Sequence, residues 1–271
     1  MIDFHMHIFP DQLAGRALST ISRNSGGLEP CFDGTLAGLQ TLMKSNGIDN
    51  GVVLMIATKP EQETAINRFA IEHSHGNLLF FGSVHPHSKN IRKNLQMLKE
   101  AGIRGIKLHP EYQNFSVDDP EVLPVYQMIA EMGFITVFHA GLDIGFDVPG
   151  RCRPAALARI LPYFEGAPVV AAHLGGYMLW EEVERELVGK PIFFDTAYSY
   201  GTIPLPLVNR IIREHGVERI LFGSDTPWSN PGQEITFINH LTLTAAEKNA
   251  VLDHNARRLL GLPELSVNQQ K

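Results

Sequence analysis

A chain of 271 residues, 44% hydrophobic and 19% charged, can bury one sizeable core and shows no composition shift or linker that would divide it. A formal net charge of −6 without a Lys/Arg stripe argues against a nucleic-acid surface, and no run approaches the roughly 18 apolar residues of a membrane span. Met1 leads straight into Ile2-Asp3-Phe4-His5 with no basic and apolar leader, and Cys31 and Cys152 are too few for a disulfide framework; a cytoplasmic protein with reduced thiols is expected.

In chain order, strand-like runs fall at 2–9, 51–58, 78–85, 105–109, 135–140, 169–173, 192–197 and 220–224. Stretches of helical periodicity alternate with them at 35–44, 61–75, 89–101, 120–132, 154–164, 178–187, 205–215 and 245–260. Runs such as Val52-Val53-Leu54-Met55-Ile56 are apolar on both faces, as strands covered by helices must be. Gly47, Gly102, Gly133, Gly166 and Gly216 fit helix ends just before strands. Eight such units predict a single α/β domain over 1–271, a closed (β/α)8 TIM barrel. An open doubly wound sheet would want a glycine-rich loop after the first strand, where this chain has His-Met-His-Ile-Phe-Pro.

Functional side chains of such barrels sit at the C-terminal ends of the strands. Here those ends carry His5 and His7, then His85, Lys107 with His109, His139, His173, Asp195 and Asp225, on otherwise apolar runs. His5 and His7, two apart on a strand, are expected to project from one face, with Asp3 one pleat deeper. Neutral imidazoles with a carboxylate suit zinc and similar divalent ions. A lone His-x-His is weak; joined by His139, His173 and Asp225 at other strand ends it becomes a specific pattern.

Asp3-Phe4-His5-Met6-His7-Ile8-Phe9-Pro10, Gly105-Ile106-Lys107-Leu108-His109-Pro110, Phe138-His139-Ala140-Gly141, Ala172-His173-Leu174-Gly175-Gly176, Phe222-Gly223-Ser224-Asp225-Thr226-Pro227 and Asn255-Ala256-Arg257-Arg258-Leu259-Leu260-Gly261 follow one another along nearly the whole chain. This set resembles the amidohydrolase superfamily, in its amidohydrolase-2 group, which includes aminocarboxymuconate-semialdehyde decarboxylase-like metal-dependent hydrolases. The resemblance implies that His5, His7, His139 and Asp225 are metal ligands. It further implies that Asp225 takes a proton from attacking water, and that His173 is an acid/base group or, in two-metal members, a second-metal ligand. One divalent ion is expected, zinc before manganese.

Lys107 shares a strand face with His109, and an interior lysine calls for an anionic partner, Asp225 or a substrate carboxylate. The resemblance offers an alternative: a carboxylated Lys107 bridging two metals. Arg153, in the loop after strand five, suits a bidentate carboxylate contact. With Lys107, His109 and Trp228 it completes the expected substrate-binding set. The function expected is metal-dependent hydrolysis of a small carboxylate-bearing amide, lactone or related carbonyl compound. The alternative is non-oxidative decarboxylation of an aromatic or muconate-like acid, and a third class is a barrel that binds without turnover. The expected partner is a small-molecule substrate, with a homo-oligomer open.

Overall fold

The computed structural model describes residues 1–147 and 149–263. All eight expected strands form: β1 Ile2–Met6, β2 Asn50–Leu54, β3 Leu78–Phe81, β4 Gly105–Leu108, β5 Ile135–Phe138, β6 Val169–Ala171, β7 Phe193–Asp195 and β8 Ile220–Leu221. Parallel pairing orders them β1-β2-β3 and β4-β5-β6-β7-β8. Backbone hydrogen bonds close both seams. Gly82 N–H donates to Gly105 O at 2.9 Å and Lys107 N–H to Gly82 O at 2.8 Å, joining β3 to β4. Phe4 N–H reaches Phe222 O, His7 N–H reaches Thr226 O and Asp225 N–H reaches His5 O, each at 2.8 Å, joining β8 to β1. The result is a closed (β/α)8 TIM barrel with no free edge.

Around it run α1 Asp11–Asn24, α2 Leu36–Ser45, α3 Glu63–His73, α4 Ile91–Glu100, the single turn α5 Pro110–Gln113, α6 Leu123–Glu131, α7 Pro154–Ile160, α8 Trp180–Glu186, α9 Leu205–His215, α10 Pro231–His240, α11 Ala245–Asn249 and α12 Asn255–Leu260. The glycines expected at helix ends all take positive φ, from 67° to 101°. Two full helices, α1 and α10, were not expected; both are inserted on the mouth side, after β1 and β8.

Ile2, Phe4, Val52, Leu54, Phe81, Val137, Val170 and Leu221 pack together inside the barrel, and Ala256 and Leu260 of α12 plug the floor. The β1–β2 register shifts between Asp3 and Met6, so strict alternation fails in the segment that carries His5. Asp3 therefore does not join the imidazoles. Its Oδ1 accepts the backbone N–H groups of His5 and Ser224, both at 3.0 Å, fastening β1 to β8.

Candidate active site

Every strand stops short of its expected end, and the polar residues stand where the chain leaves the ladder to form the mouth. His7, His5, His173, His139 and His109 lie along an arc, with successive ring centroids 5.0, 5.3, 4.8 and 4.2 Å apart. All but His7 are buried. The backbone that presents them is strained in places: His173, Leu174 and Asp225 have φ of 59°, 52° and 67°, a region costly for residues with a Cβ.

The partners of each ring fix its tautomer, because a carbonyl oxygen only accepts. His7 Nδ1 lies 2.9 Å from Leu54 O, so that nitrogen carries the proton. His5 Nδ1 lies 2.9 Å from Asp195 Oδ2, which takes its N–H in the same way. Both Nε2 atoms are left as lone pairs that face each other at 3.1 Å, with Lys107 Nζ 3.4 Å from that of His5. Asp225 Oδ1 stands 3.3 Å from each. Two lone pairs and a carboxylate oxygen converging in this way repel one another unless a cation lies among them. The donor set fits a divalent ion on chemical grounds, and His5, His7 and Asp225 lie close enough to share one.

A second convergence lies beside it. His173 Nδ1 donates to Ala197 O at 3.0 Å and His139 Nε2 to Leu142 O at 3.1 Å. Their remaining nitrogens, His173 Nε2 and His139 Nδ1, meet lone pair to lone pair at 3.1 Å. His139 thus follows His173 on the arc, one ring further from His5. It shares a second potential ion-holding group with His109 and Asp143. Asp143 escaped sequence reasoning. Its Oδ2 lies 3.3 Å from His109 Nε2 and 3.7 Å from His139 Nε2. Nothing in a loop between β5 and α7 marked it, since a lone aspartate there has no periodicity to read.

Burial keeps the four buried rings neutral. It lowers His173 and His109 to about 4 and His139 to about 3, with neighbouring imidazoles adding to the effect on His173 and His139. Burial also pulls Lys107 down to about 8, against the attraction of Asp195 and Asp225. Asp225 stays below the usual carboxylate range: burial pushes it up, but the electrostatic pull of its surroundings, His7, His173 and the Lys107 ammonium among them, outweighs it.

Lys107 is fully buried, its Nζ 3.4 Å from His5 Nε2. Asp195 is a supporting residue, holding His5 through Oδ2 and the backbone N–H groups of His173 and Ala197 through Oδ1. Trp180 supports too, donating its indole N–H to His173 O at 3.1 Å. A cavity of about 530 Å³ opens above the cluster, and Lys107, His109 and Trp228 line it. Arg153 does not. Its guanidinium is engaged by Glu182 and by Pro149 O, so the expectation that it meets substrate is corrected: loop position named the right end of the barrel but not the partner. His85 is also outside the lining, its Nδ1 accepting the His87 N–H.

The amidohydrolase family model, in its Amidohydro_2 form, matches residues 2–262, from the first strand to the last helix. The chain belongs to the amidohydrolase family. It is therefore an enzyme of a metal-dependent family, which agrees with the converging lone pairs. Among curated proteins no sequence matches it. Solved structures share the amidohydrolase's fold at low identity. A TIM-barrel protein from Bordetella bronchiseptica is 19% identical, covers 96% of this chain and 98% of its own, and has a TM-score of 0.75. The 5-carboxyvanillate decarboxylase of Sphingomonas paucimobilis is 16% identical over 97% and 99%, with a TM-score of 0.71. A Pseudomonas putida protein assigned as a 2-pyrone-4,6-dicarboxylic acid hydrolase is 19% identical over 98% of both chains, with a TM-score of 0.68. No helix of the described residues is long and apolar enough to cross a membrane.

Proposed function

We propose that this amidohydrolase hydrolyses a carbonyl compound, an amide, lactone or ester, with one divalent ion, zinc before manganese, held by His5, His7, Asp225 and His139. The observation that carries the reading is the trio of His5 Nε2, His7 Nε2 and Asp225 Oδ1, each imidazole locked by its other nitrogen into the form that can only accept. When bound, the ion supplies Lewis acidity, polarising a carbonyl oxygen and making water more acidic. Asp225, kept ionised and at the mouth, is the group to take a proton from attacking water. His173, its Nδ1–H held by Ala197 O and its backbone by Trp180, offers an Nε2 lone pair that takes the proton on from Asp225 and gives it to the leaving group, restoring both side chains. Lys107 balances the charge of Asp195 and Asp225 from below. His109 and Trp228 contribute cavity wall.

Decarboxylation is the second reading, favoured by neighbours of similar fold that carry that activity in their names. It needs an anchored carboxylate. Among the described residues the cavity lining offers a single side-chain cation, Lys107, lodged against His5, and Arg153 is engaged by Glu182. The expected acidic substrate rested on those two residues together, so hydrolysis leads and the acidic group loses half its support. Turnover in ¹⁸O-labelled water decides: hydrolysis puts one labelled oxygen into the acid product, whereas carbon dioxide release with no label in the product would replace the hydrolase reading by the carboxy-lyase one.

A further inference from the structure

The cavity is polar chiefly at its floor, with Ser25, Thr58 and Gln62 the few polar residues contributed by the segments of α1 and α3 around its opening. Its rim is built by α1 and α3 and by the segments after β1, β2 and β5, and the side chains they contribute are chiefly Leu13, Ala17, Ile21, Ile66, Phe69 and Ile144. A surface helix needs one apolar stripe, facing the body of the protein. In helix α1 the two edges of that stripe differ. Ala14 and Leu18, on one edge, are buried, while Leu13, Ala17 and Ile21, four residues apart on the other, line the cavity, and Leu13 remains 51% exposed. Across the opening, Ile144 is 46% exposed. Stripping water from this surface is favourable for any apolar group that fills it, at about 25 cal/mol per Å². Among the described residues that line the cavity there is no arginine, and Lys107 is the one lysine. A substrate with an anionic group on its body would find no cationic partner along the walls, and its desolvation would go uncompensated.

We propose that the substrate has an uncharged, apolar body, a straight alkyl chain or an aryl group bearing one, that fills the corridor between α1 and α3 while its single carbonyl head reaches the His5, His7 and Asp225 cluster. The assignment rests on the metal-centre reading for the head and on the cavity-facing edge of α1 for the body. It sets this chain apart from enzymes that take small dianionic acids. The corridor's length selects among substrates, and the floor performs the chemistry common to them.

The test uses the zinc-loaded full chain and straight-chain hydroxamates from two to ten carbons, whose head group binds a divalent ion whatever reaction the enzyme performs. Calorimetric affinity is expected to rise about two- to fourfold per added methylene, as burial of each in an apolar channel should give. A terminal carboxylate on a chain of matched length is expected to cancel the gain. Ile21→Glu, on a cavity-facing helix position outside the packed core, should flatten the series. Affinity that is flat along the series in the native chain, or steep but indifferent to Ile21→Glu, overturns the proposal. A second arm needs no metal: n-alkanols should raise the melting temperature of the chelator-treated protein with chain length, and less in Ile21→Glu. Hydroxamates failing while alkanols still discriminate would remove the metal reading and keep the corridor; the reverse would keep the metal and remove the corridor. A dimer in ultracentrifugation that Leu13→Glu dissociates would mean that a second copy covers this face, and would also overturn it.

Discussion

The two imidazoles of β1 differ in what orients them, and that difference can be measured. His7 is fixed by a backbone carbonyl that no substitution removes, whereas His5 depends on the Asp195 carboxylate. Replacing Asp195 by Asn keeps the shape but offers an amide that can donate as well as accept, so the tautomer of His5 is no longer imposed. Metal affinity in Asp195→Asn, measured by chelator competition, is expected to fall about 10- to 100-fold. An unchanged affinity would mean that His5 is oriented by packing alone. His173→Asn should keep near one equivalent of ion and lose turnover; loss of the ion would make His173 a ligand. The strand-end histidines were legible because each closes an apolar run, a placement that water-exposed residues have no reason to take. Asp143 and Arg153 were not, because their partners lie elsewhere in the chain: His109 on another strand's end for the one, Glu182 on α8 for the other.

At the scale of elements, the β8–β1 seam aligns His5 with Asp225. Gly223 permits that approach: a Cβ there would lie 2.8 Å from His5 Cβ. Gly223→Ala is expected to push His5 away from Asp225, at a cost of about 1–3 kcal/mol in stability from overpacking. Metal affinity should fall along with the melting temperature; a variant that melts lower but binds metal as before would separate seam from site. Helix α1 shows where the reading of elements stopped. Its apolar residues Leu13, Ala14, Ala17, Leu18 and Ile21 do recur at helical spacing. They form a single face, but Gly15, Ser19 and two alanines leave it with little bulk, a weaker mark than the larger apolar residues of the other helices. The eight strands were recovered and their ends overran by one to four residues, since irregular backbone at the mouth keeps the apolar composition of the strand below it.

Over the whole molecule, neutral buried histidines tie stability to pH, and His215 offers the cleanest case because it lies far from the mouth in sequence and contacts. It ends α9, stacks on Phe194 with centroids 3.9 Å apart, donates from Nε2 to Ile192 O and accepts the Gly189 N–H at Nδ1. Burial lowers it to about 4, against about 6.5 in the unfolded chain. The unfolded state therefore binds more protons between these values: the contribution is full above pH 6.5 and drains away as pH falls to 4. Comparing His215→Leu with the native chain, both without metal, the native chain should lose about 3 kcal/mol more between pH 7 and pH 4. Equal losses would mean that the ring is already accessible to protons in the fold.

All of this chemistry presupposes an ion among His5, His7, Asp225 and His139. Elemental analysis of the full chain, purified from zinc- and manganese-supplemented medium, tests it most directly. About one equivalent of divalent metal per chain is expected, falling to background in His5→Ala and His7→Ala. Two equivalents with a carbamate mass on Lys107 would replace the single-ion centre by a bridged one, and no bound metal in the native chain would contradict the centre altogether.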